Sequence, residues 1–141
     1  MIFFEDVELG DVLGSVYRSI SHQDVAQFVS VWGQSNKNTR FTSKEIAEGE
    51  GLSGAIVPGA MSIALLSKLL TSWSPNVTIR KIDIIFRQTV LHNEPLTLRG
   101  LVIDKNSDID EPTIKCDIFI ENVAMVKLII GTATVSLTRR I

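Results

Sequence analysis

Cysteine is nearly missing from this chain, and its scarcity excludes two architectures at once. A single Cys116 can form neither an internal disulfide nor a cysteine metal cluster. It sits among strand-like residues and reads as a small buried apolar filler. Histidine is almost as rare. His22 and His92 are too few and too separated to suggest a zinc site, so no metal and no cofactor is expected. Neither sign of charge is in excess, and a net charge of −2 leaves no basic face for nucleic acid. No apolar run reaches the roughly 20 residues that cross a bilayer. The segment from Met1 to Asp6 lacks the basic start and apolar stretch of a signal peptide. A soluble, cytoplasmic protein without membrane contact is the expectation. No repeat, low-complexity run or linker divides the chain, so residues 1–141 are expected to form one domain. That length is enough for a real core.

What is present centres on Gly54 to Thr71. Ala60, Met61, Ile63, Ala64, Leu65, Leu66, Leu69 and Leu70 leave only Ser62, Ser67 and Lys68 as polar interruptions. A helix apolar nearly all round is expected to be buried on most sides. Some 12 residues from Gly59 would give a rod of roughly 18 Å. Its entrance is informative too. Pro58 fixes its own φ, and Gly59 allows close approach of a neighbour or ligand. Unpaired amides gather there with partial positive charge, a setting suited to an oxyanion or a polarised carbonyl. An ordinary Pro-Gly helix start fits the same residues.

The remaining chain falls into order around that helix. A loop from Phe3 leads to a short strand near Val12–Ile20. Ser21 and Asp24 read as the N-cap and third residue of a helix, with Val25, Phe28, Val29 and Trp32 on one face. Gly33 to Gly54 is irregular apart from a short helix at Ser43–Glu48, and long irregular segments in compact domains usually carry function. After Pro75 the period changes to two. Ile82, Ile84 and Phe86 alternate with polar residues, and His92 to Pro95 reads as a turn. A strand through Leu96, Leu98 and Leu101–Ile103 follows, ending in a polar loop at Asp104–Pro112. Ile114, Cys116, Ile118 and Ile120 alternate again. Glu121-Asn122 turns the chain into a last strand over Val126–Leu137. Both histidines read as solvated, His22 in a first helical turn and His92 on a turn. Four long antiparallel strands with helices on one face make an α+β fold.

From Val25 to Leu70, and again at Phe86 to Val90, the chain resembles the MaoC-like hot-dog proteins. These include the (R)-specific enoyl-CoA hydratases and 3-hydroxyacyl dehydratases. The likeness rests on the helix entrance Ile56 to Met61, on Phe86…Val90 and on the strand Gly131 to Val135. It implies an antiparallel sheet wrapped around a central buried helix. It also implies an acyl-CoA or acyl-carrier-protein thioester as ligand, with the Gly59 N–H at the thioester carbonyl. Asn36, Pro58 and Ala60 complete the binding positions. Family hydratases carry a Gly-Asp-x-Asn-Pro-x-His loop whose Asp and His hold the water. Here Gly33 and Asn36 match, but Gln34 stands at the Asp position and Thr39 at the His position. Pro58 stands where a His usually precedes the glycine.

Gln34 and Thr39 can hydrogen-bond a water but cannot titrate near neutral pH. Positioned acid–base groups typically contribute about 10²–10⁴-fold, so the resemblance implies a thioester pocket more strongly than turnover. Three alternatives accompany this reading. One is a non-catalytic subunit supporting an active hydratase. Another is an active enzyme using Asp24, Glu45, Glu48 or Glu50 instead. The third is a hot-dog thioesterase, which the lack of Asp, Glu or His between Gly59 and Ser72 disfavours. Packing without any ligand is a fourth reading. The resemblance also implies a homodimer, or a heterodimer with a related hot-dog subunit. Apolar candidate edges at Ile82, Ile84, Ile85 and Phe86 and at Val126–Ile130 point the same way.

Overall fold

The computed structural model describes residues 1–31 and 38–141. A 3₁₀ turn at Phe4–Asp6 precedes strand β1 (Val12–Arg18), helices α1 (His22–Val31), α2 (Lys44–Gly49) and α3 (Gly59–Trp73), and strands β2 (Thr78–Phe86), β3 (Leu96–Asn106), β4 (Thr113–Glu121) and β5 (Lys127–Ser136). The strands form one antiparallel sheet in the order β1-β3-β4-β5-β2. This is the α+β arrangement expected from the alternating pattern.

Period-2 alternation settles which face of the sheet is wet. On β4, Ile114, Cys116, Ile118 and Ile120 are buried while Lys115 and Asp117 are exposed. Leu96, Leu98 and Val102 on β3 and Ile129, Ala133 and Val135 on β5 join them in one core. Helix α3 lies against this face and supplies Leu66, Leu69 and Leu70. The local caps follow the sequence as well. Ser21 Oγ accepts from Asp24 N–H while the Asp24 carboxylate accepts from Ser21 N–H, both at 3.0 Å. Ser43 Oγ accepts from Ile46 N–H at 3.2 Å and starts α2.

Three expectations need correction. Helix α3 runs 15 residues, to Trp73, because nothing breaks it before Ser74. It is not buried on most sides: Ile63, Ala64, Lys68, Thr71 and Ser72 are exposed, since the sheet covers only one side of the rod. The segment Val126–Ile130 is no edge, because β5 pairs with β4 on one side and β2 on the other. The edge strands are β1 and β2. Of the expected edge residues, Ile82 and Ile84 turn toward the core, while Ile85 and Phe86 stay 62% and 52% exposed.

Gly131 shows how tightly this sheet is drawn together. A Cβ at Gly131 would sit 2.1 Å from the backbone oxygen of Asp83 on the neighbouring β2. The glycine therefore permits a backbone approach that no other residue allows.

Candidate functional site

The entrance to α3 is an incompletely capped helix start. Pro58, buried, occupies the N-cap and contributes no side-chain bond; its carbonyl accepts from Met61 N–H at 3.0 Å. Among the described residues nothing accepts from the N–H groups of Gly59 or Ala60. Orphan donors at a helix N-terminus carry partial positive charge and wait for an acceptor.

A cavity of about 360 Å³ opens beside them. Gly59 and Ser62 line it from α3, Val57 from the approach to that helix, and Ile129 from β5. Phe86 and the segment through Val90 form another wall, and Phe41 a third. Hydrogen bonds hold these walls in register. Arg87 and Gln88 N–H both donate to Leu128 O, at 2.9 and 3.0 Å, and Val57 N–H donates to Val90 O at 2.7 Å. Ile56 N–H reaches Arg40 O at 3.1 Å, which ties the loop after Thr39 to the same wall. Larger concavities, of about 600 Å³ between α1 and α3 and about 870 Å³ over the sheet beyond β5, touch neither Gly59 nor Ala60.

The sequence-derived site residues separate into three groups. Pro58, Gly59 and Ala60 stand together at the helix mouth, with Gly59 on the cavity wall. Thr39 does not line the cavity. Its hydroxyl accepts from Phe41 N–H at 3.2 Å and its carbonyl from Thr42 and Ser43 N–H, so it shapes the turn before α2. Gln34 and Asn36 lie outside the described residues. Of the alternative carboxylates, none lines the cavity. Asp24 is held by Ser21, whose backbone N–H and hydroxyl keep its carboxyl below the usual carboxylate range. Glu48 pairs with Lys44 at 3.7 Å, and Glu45 and Glu50 are exposed.

Among the described residues that line it, Arg87 is the sole charged side chain, and none carries a carboxylate or an imidazole. Such a surface can bind and polarise a neutral carbonyl, but by itself offers no proton acceptor near neutral pH. Sequence reasoning noted Ser62 as a polar interruption and Phe86 as part of a motif, yet assigned neither a place at the site. The available signal was that Ser62 is the first polar residue of a largely apolar helix.

His22 is exposed as expected and His92 half-buried, but the two come together, which the sequence did not indicate. His22 and His92 meet with their Nδ1 atoms 3.3 Å apart, and His92 Nε2 lies 3.2 Å from Ile56 O. The start of α1 packs on the turn before β3, where Asn93 N–H donates to Ile20 O at 2.7 Å. Among the described residues they are not part of any group of three potential metal ligands.

In its sheet order and in the placement of α3, the chain is similar over nearly its whole length to several solved structures. The unliganded (R)-hydratase PhaJ1 from Pseudomonas aeruginosa superposes with a TM-score of 0.84 at 19% identity, covering 99% of this chain and 87% of that one. This chain has the MaoC-like hot-dog fold. The MaoC-like dehydratase from Rhodospirillum rubrum gives 0.84 at 18% identity, over 100% and 99% of the two chains. A chain of the ChsH1-ChsH2 complex from Mycobacterium tuberculosis gives 0.78 at 15%, over 92% and 98%. No family model matches the chain, and no curated protein matches it significantly in sequence. At these identities the hot-dog likeness establishes architecture.

Proposed function

We propose that this chain binds acyl thioesters of coenzyme A or acyl carrier protein at the mouth of α3, as a relative of the MaoC-like hydratases and dehydratases. The observation that carries the reading is the pair of unpartnered amides at Gly59 and Ala60 beside a cavity, in a fold shared with (R)-hydratases. A helix N-terminus suits the carbonyl oxygen of a thioester, which gains negative charge as Cα is protonated or deprotonated.

Turnover is a separate matter. Syn hydration needs one group to take a proton from water and another to return one to Cα. Gln34 and Thr39 at the dyad positions do not titrate near neutral pH and supply neither. We therefore read it as a binder with slow or absent hydratase chemistry. A non-catalytic role beside an active hydratase fits the same facts, and one of the similar structures is a complex of two differently named chains. A thioesterase remains the poorer reading, since α3 carries no acid or histidine.

Assembly belongs to this proposal. The uncovered β2 edge and the exposed face of α3 leave apolar surface that a second hot-dog chain, identical or related, would cover. Among the described residues no helix is long and apolar enough to cross a membrane, and we read the protein as cytoplasmic.

Calorimetric titration with butyryl-CoA, against free CoA as reference, tests the core of the reading. Affinity that depends on the acyl group supports it. Equal affinity for the two ligands would remove the thioester from the proposal.

A further inference from the structure

Helix α3 carries hydroxyls at Ser62, Ser67, Thr71 and Ser72, and the first three behave differently. Ser67 Oγ donates to Ile63 O at 2.9 Å, and Thr71 Oγ1 donates to Lys68 O at 3.3 Å. Each satisfies itself on its own helix, as exposed or half-exposed helical hydroxyls do. Ser62 is only 2% exposed, lines the cavity and makes no such bond. Pro58 O, one turn back, accepts from Met61 N–H at 3.0 Å and not from the Ser62 hydroxyl.

The Ser62 hydroxyl makes no bond among the described residues and opens on the cavity, where alanine would leave only a methyl group. Alanine is also the better helix former. A donor placed on that wall points to an acceptor that enters the cavity from outside the chain. Geometry limits where that acceptor sits. Positions i and i+3 share a helix face, and side chains lean toward the N-terminus. The Ser62 hydroxyl therefore lies beneath the turn that presents the Gly59 amide, and both line the same cavity.

We propose that Ser62 is a second hydrogen-bond donor to the carbonyl oxygen held by the Gly59 amide, so that an acyl thioester is gripped there by one N–H and one O–H. A carbonyl oxygen has two lone pairs and can accept both. Val57 and Ile129 supply apolar walls, and hydrogen bonds in such surroundings are stronger than in water. The inference rests on the acyl-thioester reading above and adds a residue to it. It also makes the site selective for the carbonyl, apart from any selectivity for chain length.

Two ligands separate the possibilities: butyryl-CoA and its thioether S-butyl-CoA, which keeps the chain but lacks the carbonyl. The native protein is expected to prefer the thioester. Ser62→Ala should weaken thioester binding about tenfold, the worth of one hydrogen bond, and leave thioether binding unchanged. Its melting temperature should stay level or rise, because no internal bond is lost. If Ser62→Ala weakens both ligands equally, or neither, the second donor is overturned while the thioester reading stands. A clear drop in melting temperature would instead assign Ser62 a structural bond, and overturn the inference without any ligand. If the native protein binds neither compound better than free CoA, the reading itself fails and the inference falls with it.

Discussion

A Cβ placed on Gly59 would lie 2.9 Å from Cζ of Phe86. The ring at the end of β2 rests on the bare Cα at the start of α3, so these two residues set the width of the cavity mouth. Phe86 is 52% exposed, and its far end can swing. Gly59→Val should therefore push the ring aside and crowd the amides while the core along Leu66, Leu69 and Leu70 stays packed. We expect at least a tenfold loss of butyryl-CoA affinity by calorimetry, with a melting temperature lowered by only a few degrees. Unchanged affinity would dispose of the helix mouth as the binding site.

Gly131 makes the opposite case, because its close neighbour is backbone. Asp83 O at 2.1 Å from a built Cβ cannot move without parting β2 from β5. Gly131→Ala is expected to destabilise the fold by about 3 kcal/mol or more, at the upper end for single substitutions. Gly49 provides the control. Nothing lies within 4 Å of its added Cβ, and it sits in α2, so Gly49→Ala should be neutral or slightly stabilising. Similar unfolding midpoints for the two variants in urea would contradict the tight strand contact.

Hydratase activity should be low with crotonyl-CoA, and Gln34→Asp combined with Thr39→His should raise it. The second change also removes the acceptor of Phe41 N–H. The double variant is therefore expected to be about 1 kcal/mol less stable than Gln34→Asp alone, while being the more active of the two. A folded double variant with no gain in rate would mean that the pocket has departed from family geometry.

In solution the chain should be at least a dimer, with β2 and the open face of α3 covered. Light scattering at low micromolar concentration should give no less than twice the 15.6 kDa of one chain. A monomeric mass would sink the shared interface. Ile85→Lys, placed on the exposed edge, should weaken the dimer without lowering monomer stability appreciably.

Cys116 faces the core between β3 and β5 and is fully buried. Burial first, and the neighbouring Asp117 carboxylate second, push its thiol up to about 12 from its ordinary 9.0. The folded state thus keeps its proton where the unfolded chain loses it. This contribution to stability is complete below pH 9 and declines as pH rises from about 9 to 12. Native protein at pH 8 should react with a thiol reagent only as fast as it opens, and Cys116→Ala should flatten the alkaline fall in stability. Prompt native-state labelling would contradict this burial.

The sequence by itself determined the elements and their faces. Alternation at Ile114, Cys116, Ile118 and Ile120, the reciprocal cap of Ser21 and Asp24, and the Pro58-Gly59 entrance are local signals. Each depends on neighbours a few residues away, where propensity and periodicity act. Only the tertiary structure decided what lies across from what. The order of strands made β5 interior and β2 an edge. The one-sided cover of the sheet left Ile63 and Lys68 of α3 in the open. Docking of α1 on the turn before β3 brought together His22 and His92, 70 positions apart. Ser62 illustrates the division most plainly. Its polarity is written in the sequence, but its place on a cavity wall opposite Phe86 and Ile129 depends on distant parts of the chain coming together.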